Sequence, residues 1–243
     1  YCSSRLCSFG VADGVGGYAL RGIDPALMAW QLMRLSKRYM EQDHETTCHE
    51  ALTQAYDDIV REELVPCGGS TALLLSIDKV YDKRARTTRL YLSAANIGDS
   101  SFMVIRQGNI VYRSHEQTHF FNCPYQLAMP RMSNTNSVQD DTSKALLLEG
   151  FELRRGDVVI SATDGLTDNV FDDTIAELVF DVARDATEKD FSAQIAREIL
   201  LSAFRNSRSR TSETPFMRYA IEHGHIYEGG KRDDITLVVA LIS

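Results

Sequence analysis

The chain has 243 residues, 44% of them hydrophobic and 25% charged, which is enough apolar material for one large globular domain or two small ones and too much for a disordered chain. Its 34 acidic against 26 basic residues give a formal charge of −8 with no basic stripe, which argues against a nucleic-acid partner. Five cysteines (Cys2, Cys7, Cys48, Cys67, Cys123) are odd in number and irregularly spaced, as expected of free thiols in a reducing compartment, and no apolar run approaches the roughly 18 residues needed to cross a bilayer.

In chain order, Leu6, Phe9 and Val11 read as a strand that the sequence enters at its start, so an upstream piece of that strand and any targeting segment are expected to precede Tyr1. Asp24-Pro25 supplies an N-cap and a first-turn proline for a helix with Met28, Leu32, Leu35 and Tyr39 on one face. Thr47 and Glu50 form a capping box ahead of Leu52, Ala55 and Ile59. Residues 71–77, 89–95, 102–106, 110–112, 158–162 and 235–241 are short, apolar and often β-branched, the pattern of strands packed on both faces. Gln107-Gly108-Asn109 reads as a tight hairpin. Late helices are expected at 173–182, 192–204 and 214–224, and surface excursions at 130–144 and 206–213. Two helices come early and three late around blocks of strands, so the class is α+β within a single domain spanning 1–243.

Four aspartates stand where apolar runs end: Asp13, Asp99, Asp164 and Asp233. An Asp-Gly after a strand is by itself a common turn device. As a set they point elsewhere, because Mg²⁺ and Mn²⁺ prefer carboxylate, carbonyl and water oxygens, and a glycine after Asp lets the backbone carbonyl join them. Histidine and thiolate are absent from these segments, which favours hard cations over zinc. Two such ions could lower the pKa of a shared water for attack at phosphorus, so phosphoryl chemistry is the first expectation.

The ordered set Val-Ala-Asp13-Gly14-Val-Gly-Gly17, Gly69-Ser-Thr-Ala72, Asn96-Ile-Gly-Asp99-Ser100, Ala162-Thr-Asp164-Gly-Leu-Thr-Asp168-Asn169 and Arg232-Asp233-Asp234-Ile-Thr236 resembles the metal-dependent protein phosphatases, the protein phosphatase 2C family. The run from Tyr112 to Gln126 resembles the branch whose members include mitochondrial phosphatases. The resemblance implies a four-layer αββα sandwich of two antiparallel sheets flanked by helix pairs, with a two-metal centre at one end. It implies that Asp13 bridges both ions, that the Gly14 carbonyl binds one, that Asp164 and Asp233 hold the second, and that Asp99 and Asp168 join Asp164 at a third site. It further implies Mg²⁺ or Mn²⁺ as cofactor, phosphoserine and phosphothreonine proteins as substrates, a monomer without membrane insertion, and a mitochondrial or otherwise cytoplasmic address.

Two departures from the family pattern bear on activity. Val15 stands where many members have histidine, so the leaving oxygen needs another proton source. The family's acidic pair and phosphate-binding arginine would fall before Tyr1. An alternative is therefore a pseudophosphatase that keeps the fold as an interaction module. Other signals are read as structural. His115-Glu-Gln-Thr-His119 matches a zinc-protease pattern that needs a stable helix, yet it follows a strand and precedes Pro124, so a loop or short helix is expected. His223 and His225 are expected to cap a helix, Trp30, Tyr39 and Tyr56 to pack in the core, and Gly68-Gly69 to lead into a strand. The arginines between 205 and 210 are read as a solvated loop.

Overall fold

The computed structural model describes residues 2–83, 86–130, 140–185 and 191–243. Its elements in chain order are β1 (Cys2–Val11), α1 (Ala26–Gln42), α2 (Cys48–Arg61), β2 (Gly69–Ser70), β3 (Ala72–Asp82), β4 (Thr87–Ile97), β5 (Ser101–Arg106), β6 (Asn109–Arg113), β7 (Thr118–Phe120), β8 (Cys123–Pro124) and β9 (Leu127–Ala128). Then follow β10 (Leu146–Leu153), β11 (Val158–Ala162), α3 (Asp164–Thr167), α4 (Asp172–Asp185), α5 (Phe191–Arg208), α6 (Pro215–Glu222) and β12 (Leu237–Leu241). The chain divides into two compact units, one of residues 1–100 and 115–154, the other of 101–114 and 155–243.

The first unit is built on an antiparallel sheet of order β1-β3-β4-β10. Side chains alternate along β3, so Ala72 and Leu74 meet the helices while Leu73, Leu75 and Ile77 point to the other face, and all five are buried. Met28, Leu32 and Leu35 of α1 and Leu52, Ala55 and Ile59 of α2 close over the first face with Ala95 and Ile97 of β4. Each such aliphatic side chain contributes about 1.5–3 kcal/mol by leaving water. The start of α2 follows the local chemistry read from the sequence, whereas α1 begins one residue later than expected, at Ala26 with Pro25 at its N-cap. Asp24 Oδ1 accepts the Ala26 N–H at 3.0 Å, and the Thr47–Glu50 capping box is complete, with Thr47 Oγ1 accepting from Glu50 N and Glu50 accepting from Thr47 N.

The second unit carries an antiparallel sheet of order β12-β11-β5-β6. Met103, Ile105, Val158, Ile160 and Ala162 face α4 and α5, which supply Ile175, Val179, Ile195, Ile199 and Ala203. Gln107 and Gly108 both take positive φ between β5 and β6, as a two-residue hairpin whose twist matches its strands requires. A bidentate ion pair ties the ends of β5 and β11: Arg106 Nε and Nη2 donate to the fully buried Asp157 at 2.8 and 2.7 Å.

The α+β class with two antiparallel sheets and their helices is as expected, and several local expectations change. Strand β10 carries no clean alternation because Gly150, at φ 71°, sits where the register with β4 shifts between Leu148 and Phe151. Trp30 is 76% exposed instead of packed in the core: two residues from Met28 puts it roughly 200° around the helix, off the Met28–Leu32–Leu35 stripe. The tyrosines do pack, and the Tyr56 hydroxyl donates to the Ala128 carbonyl at 2.7 Å. Helix α5 runs through Arg208, so the start of the expected 206–213 loop is helical and Ser207 is buried. Of the expected 130–144 excursion, residues 131–139 lie outside the described residues, while Asp140 is buried and Thr142–Lys144 form a 3-10 turn. Cys7, Cys48, Cys67 and Cys123 are not in disulfides among the described residues. Among the described residues no helix is long and apolar enough to cross a membrane.

Candidate functional site

Each unit presents part of the aspartate set at its own strand ends. In the first unit β1 ends at Val11, and the backbone of Asp13 is then clamped to the stretch leading into β3. The Asp13 N–H donates to Thr71 Oγ1 at 3.0 Å, the Thr71 N–H donates to the Asp13 carbonyl at 2.9 Å, and Ser70 Oγ lies 2.8 Å from the same carbonyl. Thr71 Oγ1 in turn lies 2.9 Å from Ser100 Oγ, and Asn96 Nδ2 donates to the Ser100 carbonyl, so the turn that carries Asp99 is tied to the same threonine. Gly14 is required where it stands, since a Cβ there would fall 2.0 Å from the Pro25 carbonyl oxygen. Val15 continues the clamp through its N–H to the Gly69 carbonyl at 2.9 Å.

In the second unit Asp164 stands one residue beyond the end of β11, after Thr163, and opens the single turn α3, with Asp168 just past its end. Thr163 pins this junction to the run before β12: its N–H donates to the Thr236 carbonyl, and its Oγ1 donates to the Asp234 carbonyl at 3.3 Å and accepts the Thr236 N–H at 3.2 Å. Gly165 lets the two segments touch, because a Cβ there would fall 2.2 Å from the Asp234 carbonyl oxygen. Asp233 is thereby carried next to Asp164.

These three aspartates converge on one ammonium. Lys231 Nζ donates to Asp164 Oδ2 and Asp168 Oδ2 at 2.6 Å each and lies 3.1 Å from Asp233 Oδ2. Burial alone would lower the pKa of Lys231; the carboxylates of Asp168 and Asp164 outweigh it and hold the ammonium above the ordinary lysine value. The lysine therefore stays charged throughout the neutral range. One ammonium against three carboxylates still leaves excess negative charge, and Asp164 Oδ1 is buried without a hydrogen-bond partner among the described residues. A buried carboxylate oxygen with nothing to bind costs free energy, and a hard cation is the partner that an all-oxygen cluster suits. The residues present fit a divalent metal.

Two residues outside the expected set organise this cluster. Asn169, 1% exposed, donates through Nδ2 to the carbonyls of Gly165 and Lys231 at 2.9 Å each, accepts the Lys231 N–H at Oδ1 at 3.0 Å, and receives Asn206 Nδ2 on its own carbonyl. Lys231 itself lies in the Gly229-Gly-Lys-Arg run ahead of Asp233. The only signal for it in the sequence is a lysine two residues ahead of an expected metal ligand. Gly229 and Gly230 allow that run to lie against α5, where a Cβ on either would strike the Ser209 or Asn206 carbonyl at 2.3 or 2.0 Å.

The other histidine signals resolve as structural. His119 lies in strand β7, stacks on Tyr125 with centroids 4.0 Å apart, and bonds through Nε2 to Asp140 Oδ2 at 2.8 Å, so the zinc-protease pattern lacks its helix. His223 donates through Nδ1 to the Tyr219 carbonyl at the end of α6, the capping role expected.

No family model matches the chain. Individual proteins do. A protein phosphatase PTC7 homolog of Xenopus laevis is 33% identical over 236 residues, which cover 96% of this chain and 76% of the relative. Among solved structures, that of the photosystem II phosphatase PBCP superposes with a TM-score of 0.75 at 25% identity, covering 100% of this chain and 91% of that one. The catalytic domain of the serine/threonine protein phosphatase PstP, in a complex with two manganese ions, shares the fold at a TM-score of 0.55 and 18% identity, covering 99% of this chain and 91% of that one. A relative at this identity over this share of both chains establishes descent, and the chain belongs to the PP2C-type PPM protein phosphatases, the family of the PTC7 homologs, and is a phosphatase.

Proposed function

We propose that the chain is a Mg²⁺- or Mn²⁺-dependent phosphatase that hydrolyses phosphoserine and phosphothreonine on proteins. The observation that carries this reading is the carboxylate cluster of Asp164, Asp168 and Asp233 with its unpartnered Asp164 Oδ1. Asp164 and Asp233 would hold one ion, and Asp13 with the Gly14 carbonyl would complete a pair. Asp99 would join Asp168 and Asp164 at a third position. These roles rest on the family resemblance. The manganese pair of PstP supports the choice of metal. Bound there, two hard cations would activate a shared water for in-line attack at phosphorus and neutralise charge on the phosphoryl oxygens.

The chain's own residues set the frame for that chemistry. The Asp13–Thr71–Ser100 hydrogen bonds hold the first ligand's backbone, and Thr163 and Asn169 do the same for the second group. A mitochondrial address is proposed with the function, on the branch resemblance of residues 112–126; imaging of the full-length protein fused to a fluorescent reporter tests it.

The central test is turnover of a phosphothreonine peptide. Activity is expected with Mn²⁺ or Mg²⁺ and none after EDTA treatment. Asp164→Asn and Asp233→Asn are each expected to lower it by at least about 100-fold, the upper end of what losing a metal's supporting partners costs. Activity that survives both substitutions would remove the assignment.

A further inference from the structure

We propose that Lys231 is a built-in counter-cation: its ammonium holds Asp164, Asp168 and Asp233 together in the metal-free chain and must leave them before a divalent ion binds, so this lysine sets the chain's metal affinity. The inference rests on the metal reading above. Its first support is that the same atoms are contested. Lys231 Nζ faces Oδ2 of all three carboxylates, at 2.6, 2.6 and 3.1 Å. A Mg²⁺ ion needs carboxylate oxygens at roughly 2.0–2.1 Å. An ammonium and a divalent ion sharing those oxygens would stand within a few ångströms of each other, where like charges repel strongly in a partly buried site.

The second support is that the lysine is anchored at its backbone. Asn169 takes both the N–H and the carbonyl of Lys231, so the main chain stays fixed when the side chain moves. The stem is flexible, with rotatable bonds that carry a compact charge. The face of Phe216 lies 5.1 Å from Nζ and offers the ammonium a second favourable contact within its reach. Tyr227 holds that ring in place, edge-on at 4.8 Å, and is itself tied by its hydroxyl to the Gly230 carbonyl. Asp164 Oδ1 meanwhile gives an arriving cation one oxygen that the lysine does not occupy.

The experiment is calorimetric titration of Mn²⁺ into the purified chain and into its Lys231→Met variant, each checked for fold by circular dichroism. Lys231→Met is expected to bind at least tenfold more tightly and to melt at a lower temperature in EDTA, having lost the charge that balances three carboxylates. Equal or weaker binding by the variant overturns the inference alone. No binding by either chain removes the metal reading and this inference with it. A second measurement uses the unmodified chain, so that it does not depend on the variant folding. Lys231 acetylation, followed by mass spectrometry, is expected to be several-fold faster in saturating Mn²⁺ than in EDTA, with exposed Lys37 as an unchanged control. An equal or slower rate in Mn²⁺ overturns the inference.

Discussion

Asn169 shows how much of this site depends on a side chain that does no chemistry. Its amide uses both ends, two carbonyls on Nδ2 and one N–H on Oδ1, in a position closed to water. Truncation to alanine would strand the Gly165 carbonyl and both backbone groups of Lys231. Unmet buried hydrogen bonds cost about 1–3 kcal/mol each, partly recovered as the loop relaxes. Asn169→Ala is therefore expected to lose about 3 kcal/mol of stability in urea unfolding, and a loss under about 1 kcal/mol would show that the clamp is not what holds the 229–233 run. The residue was visible in the sequence beside Asp168, yet nothing in the sequence showed which backbone it would bridge. That bridge spans 62 positions of chain.

At the scale of elements, the pairing of α1 with α2 is sharpened by one acid. Asp58 of α2 accepts from Tyr39 and Arg38 of α1 and from Arg61 of its own helix, and it is buried. The Tyr39 hydrogen bond leads, with Arg61 and Arg38 behind it, in holding the Asp58 carboxyl below its ordinary value against the opposing effect of burial. A depressed folded-state pKa stabilises above the unfolded value of about 3.9 and is lost as pH falls through the folded one. Asp58→Asn is expected to be less stable than the parent at pH 7, with the gap closing below about pH 4. Urea titrations at pH 7, 5, 4 and 3 read this, and a gap that stays constant across them would refute it. Helices α1 and α2 were legible from caps and a 3.6-residue stripe, which are local properties. Strand β10 was not, because its bulge at Gly150 breaks the alternation and only pairing with β4 makes it a strand.

On the scale of the whole chain, each compact unit is discontinuous in sequence: β5 and β6 belong with the segment after 155, and residues 115–154 belong with the first hundred. A ligand that binds only the folded chain stabilises it by mass action, about 2.7 kcal/mol at a hundred times its dissociation constant. For a chain of this size that corresponds to a rise in melting temperature of roughly 5–10 °C with Mn²⁺, reversed by EDTA. Differential scanning fluorimetry checks it, and a shift of the same size in the Asp164→Asn, Asp233→Asn double variant would place the ion elsewhere. The α+β class, the helix caps, the Gln107-Gly108 turn and the aspartates at strand ends follow from the sequence by itself, because propensity, periodicity and turn chemistry act over a few neighbouring residues. The partner of each aspartate was decided only by tertiary structure. Asp164, Asp168 and Asp233 meet around Lys231 because Thr163, Gly165 and Asn169 bring segments more than 60 residues apart into contact, and no local pattern encodes a contact of that span.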